Sequence, residues 1–103
     1  MSETALDIHP GDAPDTYVIS GEIDMHTAPR IAEISVPPDR PDATIVLDFS
    51  GVSFIDSIGI WALVNLARGL EGGKLVIANA AGNVRRTFDR IDLSDATGIM
   101  VER

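Results

Sequence analysis

The sequence predicts a mixed α/β domain built on a central sheet with a parallel portion and a hairpin near one edge. Three observations carry that prediction. Two near-continuous β-branched and apolar runs, Thr44 to Phe49 and Lys74 to Ala78, have the pattern of strands buried on both faces. Between them, Ile58 to Leu70 is long enough for a helix and sets Leu63, Leu66, Ala67 and Leu70 on one stripe. Ahead of both, two segments alternate apolar and polar residues.

Those alternating segments are Ala5 to His9 and Thr16 to Ile23, and the turn-rich stretch Pro10 to Asp15 joins them as a hairpin. Thr27 is a candidate cap for a short helix whose first turn tolerates Pro29, with Ile31 and Ile34 on one face and Pro37-Pro38 as the stop. Pro37 to Asp42 is then a loop. The strand, helix and strand from Thr44 to Ala78 form a right-handed βαβ unit, and Gly72-Gly73 are the candidate C-terminal caps of its helix. Gly82 or Asn83 begins another helix, with Val84, Phe88 and Ile91 at i, i+4 and i+7, and Gly98 to Val101 closes the sheet.

A chain of 103 residues, 45% hydrophobic and 23% charged, is expected to be one domain over 1–103. It has no cysteine, which removes thiolate catalysis, iron–sulfur ligation and cysteine-based zinc sites. The N-terminal stretch MSETALDIHPGDAPD lacks the basic and apolar regions of a secretory signal. No run approaches about 18 apolar residues, so a soluble cytoplasmic protein without membrane insertion is expected.

Sixteen acids against eight bases give a net charge of −8, a sign that disfavours direct nucleic-acid binding and favours partners with cationic patches. The imbalance lies in the first half. Residues 1 to 56 hold eleven acids and two bases, whereas residues 57 to 103 hold five acids and six bases.

The informative stretch is Val52 to Ile60, where a strand ends, the polar pair Asp56-Ser57 appears, and an apolar helix begins. Ser57 sits at the helix entrance, at what is usually the functional edge of an open α/β sheet. Two readings stand side by side: Ser57 as an N-cap, accepting a hydrogen bond from the N2 or N3 amide, or Ser57 as an acceptor of a phosphoryl group. Gly59 in the first turn costs about 1 kcal/mol relative to Ala, which points to close approach by another surface. Ile58 beside it is a candidate contact, as is Ile60.

Gly21-Glu22-Ile23-Asp24, followed by His26 and Thr27, forms a second strand-to-helix junction. With both junctions at one sheet edge, Asp24 and Asp56 flank Ser57 and make that edge negative, so it needs a basic partner. His26, an aspartate and Ser57 supply the residue types of a hydrolytic triad, yet Ile55 occupies the place of the first glycine of a nucleophile elbow. His9 and His26, the only histidines, lie far apart, and no metal or other cofactor is expected. Gly72-Gly73-Lys74 departs from a phosphate loop because Leu75 replaces the required hydroxyl residue. Arg85, Arg86 and Arg90 read as a solvated helix face, and Trp61 fits either an inward or an outward position.

Three segments taken together, Gly21-Glu22-Ile23-Asp24 with His26-Thr27-Ala28, Asp56-Ser57-Ile58-Gly59-Ile60, and Val84-Arg85-Arg86-Thr87-Phe88-Asp89, resemble the STAS family of bacterial anti-sigma factor antagonists. The resemblance implies a single α/β domain with a mixed sheet of four or five strands and helices stacked on one side. It also implies a non-catalytic, phosphorylation-controlled partner switch, with Ser57 as the phosphorylated residue; the alternatives are a STAS subunit regulating another client, such as a transport ATPase or a stress-signalling complex, and a small nucleotide-binding or hydrolytic protein. In such a switch the unmodified protein binds an anti-sigma factor that is itself a serine kinase, and so frees the sigma factor; a PPM-type phosphatase resets the cycle. Gly21, Glu22, Asp24, His26, Thr27, Asp56, Ser57, Ile58, Gly59 and Ile60 become the expected partner-binding set. Two departures stand out: Ile58 occupies a place where many relatives carry Ser or Thr, and the proline-broken segment Ala28 to Asp42 is shorter in helix than the family norm.

Overall fold

The structure, a computed structural model, describes residues 6–34, 39–40, 42–91 and 98–102. Its elements are β1 (Asp7–Pro10), β2 (Thr16–Ile23), α1 (Ala28–Ile31), β3 (Thr44–Ile55), α2 (Ser57–Arg68), β4 (Lys74–Ala78), α3 (Gly82–Arg90) and β5 (Ile99–Val101). The strands form one sheet in the order β1-β2-β3-β4-β5; β1 pairs antiparallel with β2, and the other three pairings are parallel. Because each crossover steps in the same direction along the sheet, the right-handed rule puts α1, α2 and α3 on one face.

That face holds the core. Ile45 lies opposite Leu75 and Leu47 opposite Ile77, all four almost fully buried. Phe49 meets Phe88 of α3 with ring centroids 6.0 Å apart. Arg86 and Arg90 are exposed on α3, as a solvated face requires, whereas Arg85 is half-buried and pairs with Asp89 at 3.2 Å.

β3 corrects the expected strand in two ways. It continues past Phe49 to Ile55, and it alternates instead of being buried on both faces: its buried residues are Ile45, Leu47, Phe49, Val52 and Ile55. The spacing of two becomes three at each of two register shifts, where β3 carries an extra residue against β2, between the pairs Val18–Asp48 and Ser20–Gly51 and again between Gly21–Val52 and Glu22–Phe54. These bulges re-aim the strand so that Ile55 still points inward after a polar interval. Gly51 is needed there, since a Cβ would lie 2.6 Å from that of Ser20. β4, by contrast, has the expected two-sided burial over Leu75 to Ala78.

Two helix boundaries also differ from expectation. α1 is a single turn, and although Thr27 occupies its N-cap position, the Thr27 side chain makes no capping bond. Ile34 is buried beyond the helix end, and Pro37-Pro38 lie outside the described residues. α2 is capped at Gly69, not at Gly72-Gly73. Those two glycines belong to the turn into β4: Gly72 has φ +83°, and a Cβ on Gly73 would collide with the Ala43 carbonyl oxygen. The hairpin forms with β2 over Thr16–Ile23 as expected, but β1 runs over Asp7–Pro10, so Pro10, expected in the turn, pairs with Tyr17 and Leu6 precedes the strand; Ala5 lies outside the described residues.

Candidate functional site

The parallel strands β2 and β3 end level with each other, Ile23 opposite Ile55. Each is followed by an aspartate, so the two strand-to-helix junctions lie at one edge, as the alternation of elements predicts. The Asp56 amide still donates to the Ile23 carbonyl at 3.2 Å, which keeps Asp56 extended (φ −111°, ψ −175°) and in the ladder. From there its Oδ1 accepts the Gly59 amide at 2.9 Å. Asp56 is therefore the N-cap of α2, and the reading of Ser57 as the cap is corrected.

Ser57 becomes the first helical residue, exposed to solvent. Among the described residues its hydroxyl makes no hydrogen bond. Gly59 explains how the helix reaches this position: a Cβ there would sit 2.7 Å from Ile23 Cγ2 and from Ile55 Cγ1. The surface that approaches Gly59 is thus the protein's own sheet. Gly59 and Ile60 are buried and support the edge from beneath, whereas Ile58 is 49% exposed.

Across the edge, the β2–α1 turn is closed by its own side chains. Asp24 Oδ1 accepts the amides of His26 (2.9 Å) and Thr27 (3.1 Å). Thr27 Oγ1 donates to the Glu22 carbonyl at 2.6 Å and accepts the Asp24 amide at 3.0 Å. Partial desolvation pushes the Asp24 carboxyl up, but the bonds from His26 and Thr27, helped by the His26 charge, hold it below the usual carboxylate range. Gly21, at φ +110°, accepts the Ser53 hydroxyl on its carbonyl at 3.3 Å, and Glu22 is half-buried beside it. His26 is exposed and donates its backbone amide to Asp24, and among the described residues no hydrogen bond joins its imidazole to Ser57.

The edge is thus an exposed hydroxyl at the N-terminus of a 12-residue helix, with one carboxylate, Asp56, on its own junction and another, Asp24, on the neighbouring one. The helix N-terminus favours an anion on that hydroxyl; Asp24 and Asp56 oppose the approach of any second anion. Among the described residues no group of three His, Asp or Glu side chains gathers to hold a metal ion, and no helix is long and apolar enough to cross a membrane.

Sequence reasoning missed part of this surface. Met25 is 66% exposed, Trp61 is 54% exposed, and Phe54 also faces solvent. Trp61 follows Ser57 by one helical turn and carries the Arg68 guanidinium 5.2 Å above its ring. The apolar character of Met25 and Phe54 would have read as core in any pattern search.

Comparison with known proteins agrees with this geometry. The STAS domain family matches residues 6–100. The anti-sigma-B factor antagonist of Bacillus subtilis is 32% identical over 83 residues, covering 79% of this chain and 76% of the relative. That of Staphylococcus epidermidis is 30% identical over 81 residues, covering 75% and 74%. The structure of the anti-sigma factor antagonist SpoIIAA in its unphosphorylated form superposes with TM-score 0.59 at 23% identity, over 96% of this chain and 88% of that one. SpoIIAA in the phosphorylated form gives 0.56 at the same identity, over 96% and 92%.

Proposed function

Since the chain belongs to the STAS domain family, we propose that it is an anti-sigma factor antagonist acting in the cytoplasm as a binding module without catalysis of its own. Unmodified, it binds an anti-sigma factor that is a serine kinase, and the sigma factor is released. The kinase transfers a phosphoryl group from ATP to the Ser57 hydroxyl, the modified protein lets go, and a PPM-type phosphatase restores it. The observation that supports this most directly is the exposed Ser57 hydroxyl at the first position of α2, with Asp24 and Asp56 at its sides.

A phosphoserine adds about −1.5 to −2 charge and three acceptor oxygens. At the N-terminus of α2 that charge meets free amides and the positive helix end, so the fold tolerates it. At the interface it is a dianion beside two carboxylates, which the partner must desolvate; like-charge juxtaposition costs several kcal/mol, more than about a hundredfold in Kd. Gly21, Glu22, Asp24, His26, Thr27, Asp56 and Ile58 supply the surrounding contacts, with Gly59 and Ile60 as their support.

The test uses the purified serine-kinase anti-sigma factor of the same organism. Incubation with ATP is expected to place one phosphoryl group on the wild-type chain and none on Ser57→Ala. By calorimetry, Ser57→Ala should bind like the unmodified protein and Ser57→Asp at least tenfold more weakly, with unchanged melting temperatures. Equal binding by Ser57→Asp and wild type overturns the switch.

A further inference from the structure

α1 covers little of α2 because it is one turn long, and the residues facing across the gap are small: Ala28, Pro29 and Ala32 on one side, Ala62 on the other. The result is an open apolar groove of 420 Å³ between the two helices. It begins beside Ser57, at Met25 and Ile58, passes Trp61, and ends at Gly69. Ile58 to Gly69 spans about 16 Å at 1.5 Å per residue, or three helical turns.

We infer that this groove seats an amphipathic helix of the anti-sigma partner, an inference that rests on the function proposed above. Charge decides the occupant and its direction. The groove lining has no charged side chain, but its Ser57 end lies next to Asp24 and Asp56, and its middle carries the Arg68 guanidinium over Trp61. A helix laid along it with its N-terminus toward Ser57 brings its positive end, and any Lys or Arg there, to the two carboxylates, and an acidic side chain at its middle would face Arg68. Apolar side chains at i, i+4 and i+7 then fill the groove. Met25, adaptable in shape, and Trp61, rigid and large, are the residue types that dominate such seats. The Asp24–Thr27 bonds fix the turn that holds Met25 at the mouth. A lipid acyl chain would use the apolar wall but not the two carboxylates at its Ser57 end.

This divides the interface into two parts. The groove supplies affinity that does not depend on the phosphoryl group, and Ser57 supplies the switch.

The experiment measures binding of the same purified kinase to the full chain carrying Met25→Ala, Trp61→Ala or Ala32→Glu, all at exposed positions, with melting temperature as the control for folding. Each is expected to weaken binding at least tenfold, and Met25→Ala to weaken a Ser57→Asp background by the same factor. On the wild-type chain, kinase binding should shift the emission of Trp61, the single tryptophan, to the blue. Unchanged affinity in folded groove variants, with Ser57→Asp still impaired, overturns the groove and leaves the switch standing. Equal binding by Ser57→Asp and wild type overturns the switch itself. A blue shift with phosphatidylcholine vesicles and none with the kinase overturns the helical occupant in favour of a lipid.

Discussion

At the end of β2 the chain reads Ile23-Asp24, with the hydroxyl of Thr27 three residues on; at the end of β3 it reads Ile55-Asp56 and then Ser57. The strands stop level, and each aspartate accepts an amide two or three residues ahead. At the first junction the hydroxyl is spent on the Glu22 carbonyl and the Asp24 amide, and the helix that follows lasts one turn. At the second, the carboxylate alone makes the cap, the hydroxyl is left to solvent, and a 12-residue helix follows. The same residue types build a lock in one place and a presented group in the other. Burial explains the difference: α2 is held by Ile60, Leu63, Val64, Leu66 and Ala67, so its first turn does not depend on the serine.

The largest effect is expected where α2 touches the sheet. Gly59→Val puts branched atoms where even one Cβ comes within 2.7 Å of Ile23 and Ile55, and overpacking of this kind costs about 3 kcal/mol. Thermal melts should fall by roughly 15 °C. A variant that melts like wild type would mean that the second junction is loose, and that Ser57 is not presented by packing.

Thr27→Val comes next and tests the lock. It keeps the shape, removes the donor to the Glu22 carbonyl and strands the Asp24 amide, for an expected loss of about 1 to 2 kcal/mol by urea denaturation. Asp56→Ala should cost about 1 kcal/mol as a lost N-cap, while Ser57→Ala should stay within about 0.5 kcal/mol of wild type. The reverse order for the last two would make the serine the cap and dissolve the contrast between the junctions.

Much of this was legible in the sequence. The parallel unit from Thr44 to Ala78 follows from β-branched runs on either side of a helical stripe, and the order of the two junctions follows from the alternation of elements. The end of β3 was hidden because Ser50, Gly51 and Ser53 do not look like a strand; what keeps them in one is the backbone ladder to β2, which side-chain pattern does not report. The choice between Asp56 and Ser57 as the cap was hidden for a related reason. Both are good caps, and the deciding fact is a long-range bond from the Asp56 amide to Ile23. Trp61 was undecidable because its neighbour across the groove, α1, is shorter than its sequence span suggests.

The smallest effect separates the two aspartates by pH. Asp24 has its carboxyl held below the ordinary value of 3.8 in the folded chain, so its ionised form binds the turn more tightly than the unfolded chain binds it. The stability this contributes is fully present above that ordinary value and is lost as pH falls through the lower, folded one. Asp48 titrates in the same direction, because the Ser50 amide and the Asn79 side chain both donate to it, so it adds to the acid destabilisation of the wild type. Asp24→Asn keeps an acceptor for the His26 and Thr27 amides and removes the charge. Melting temperature measured from about pH 5 downward should therefore fall less steeply in Asp24→Asn than in wild type, and the remaining slope should shrink further when Asp48→Asn is added. Were the Asp24→Asn slope identical to wild type, the amides of the first junction would not be gripping a carboxylate, and the lock would rest on Thr27 alone.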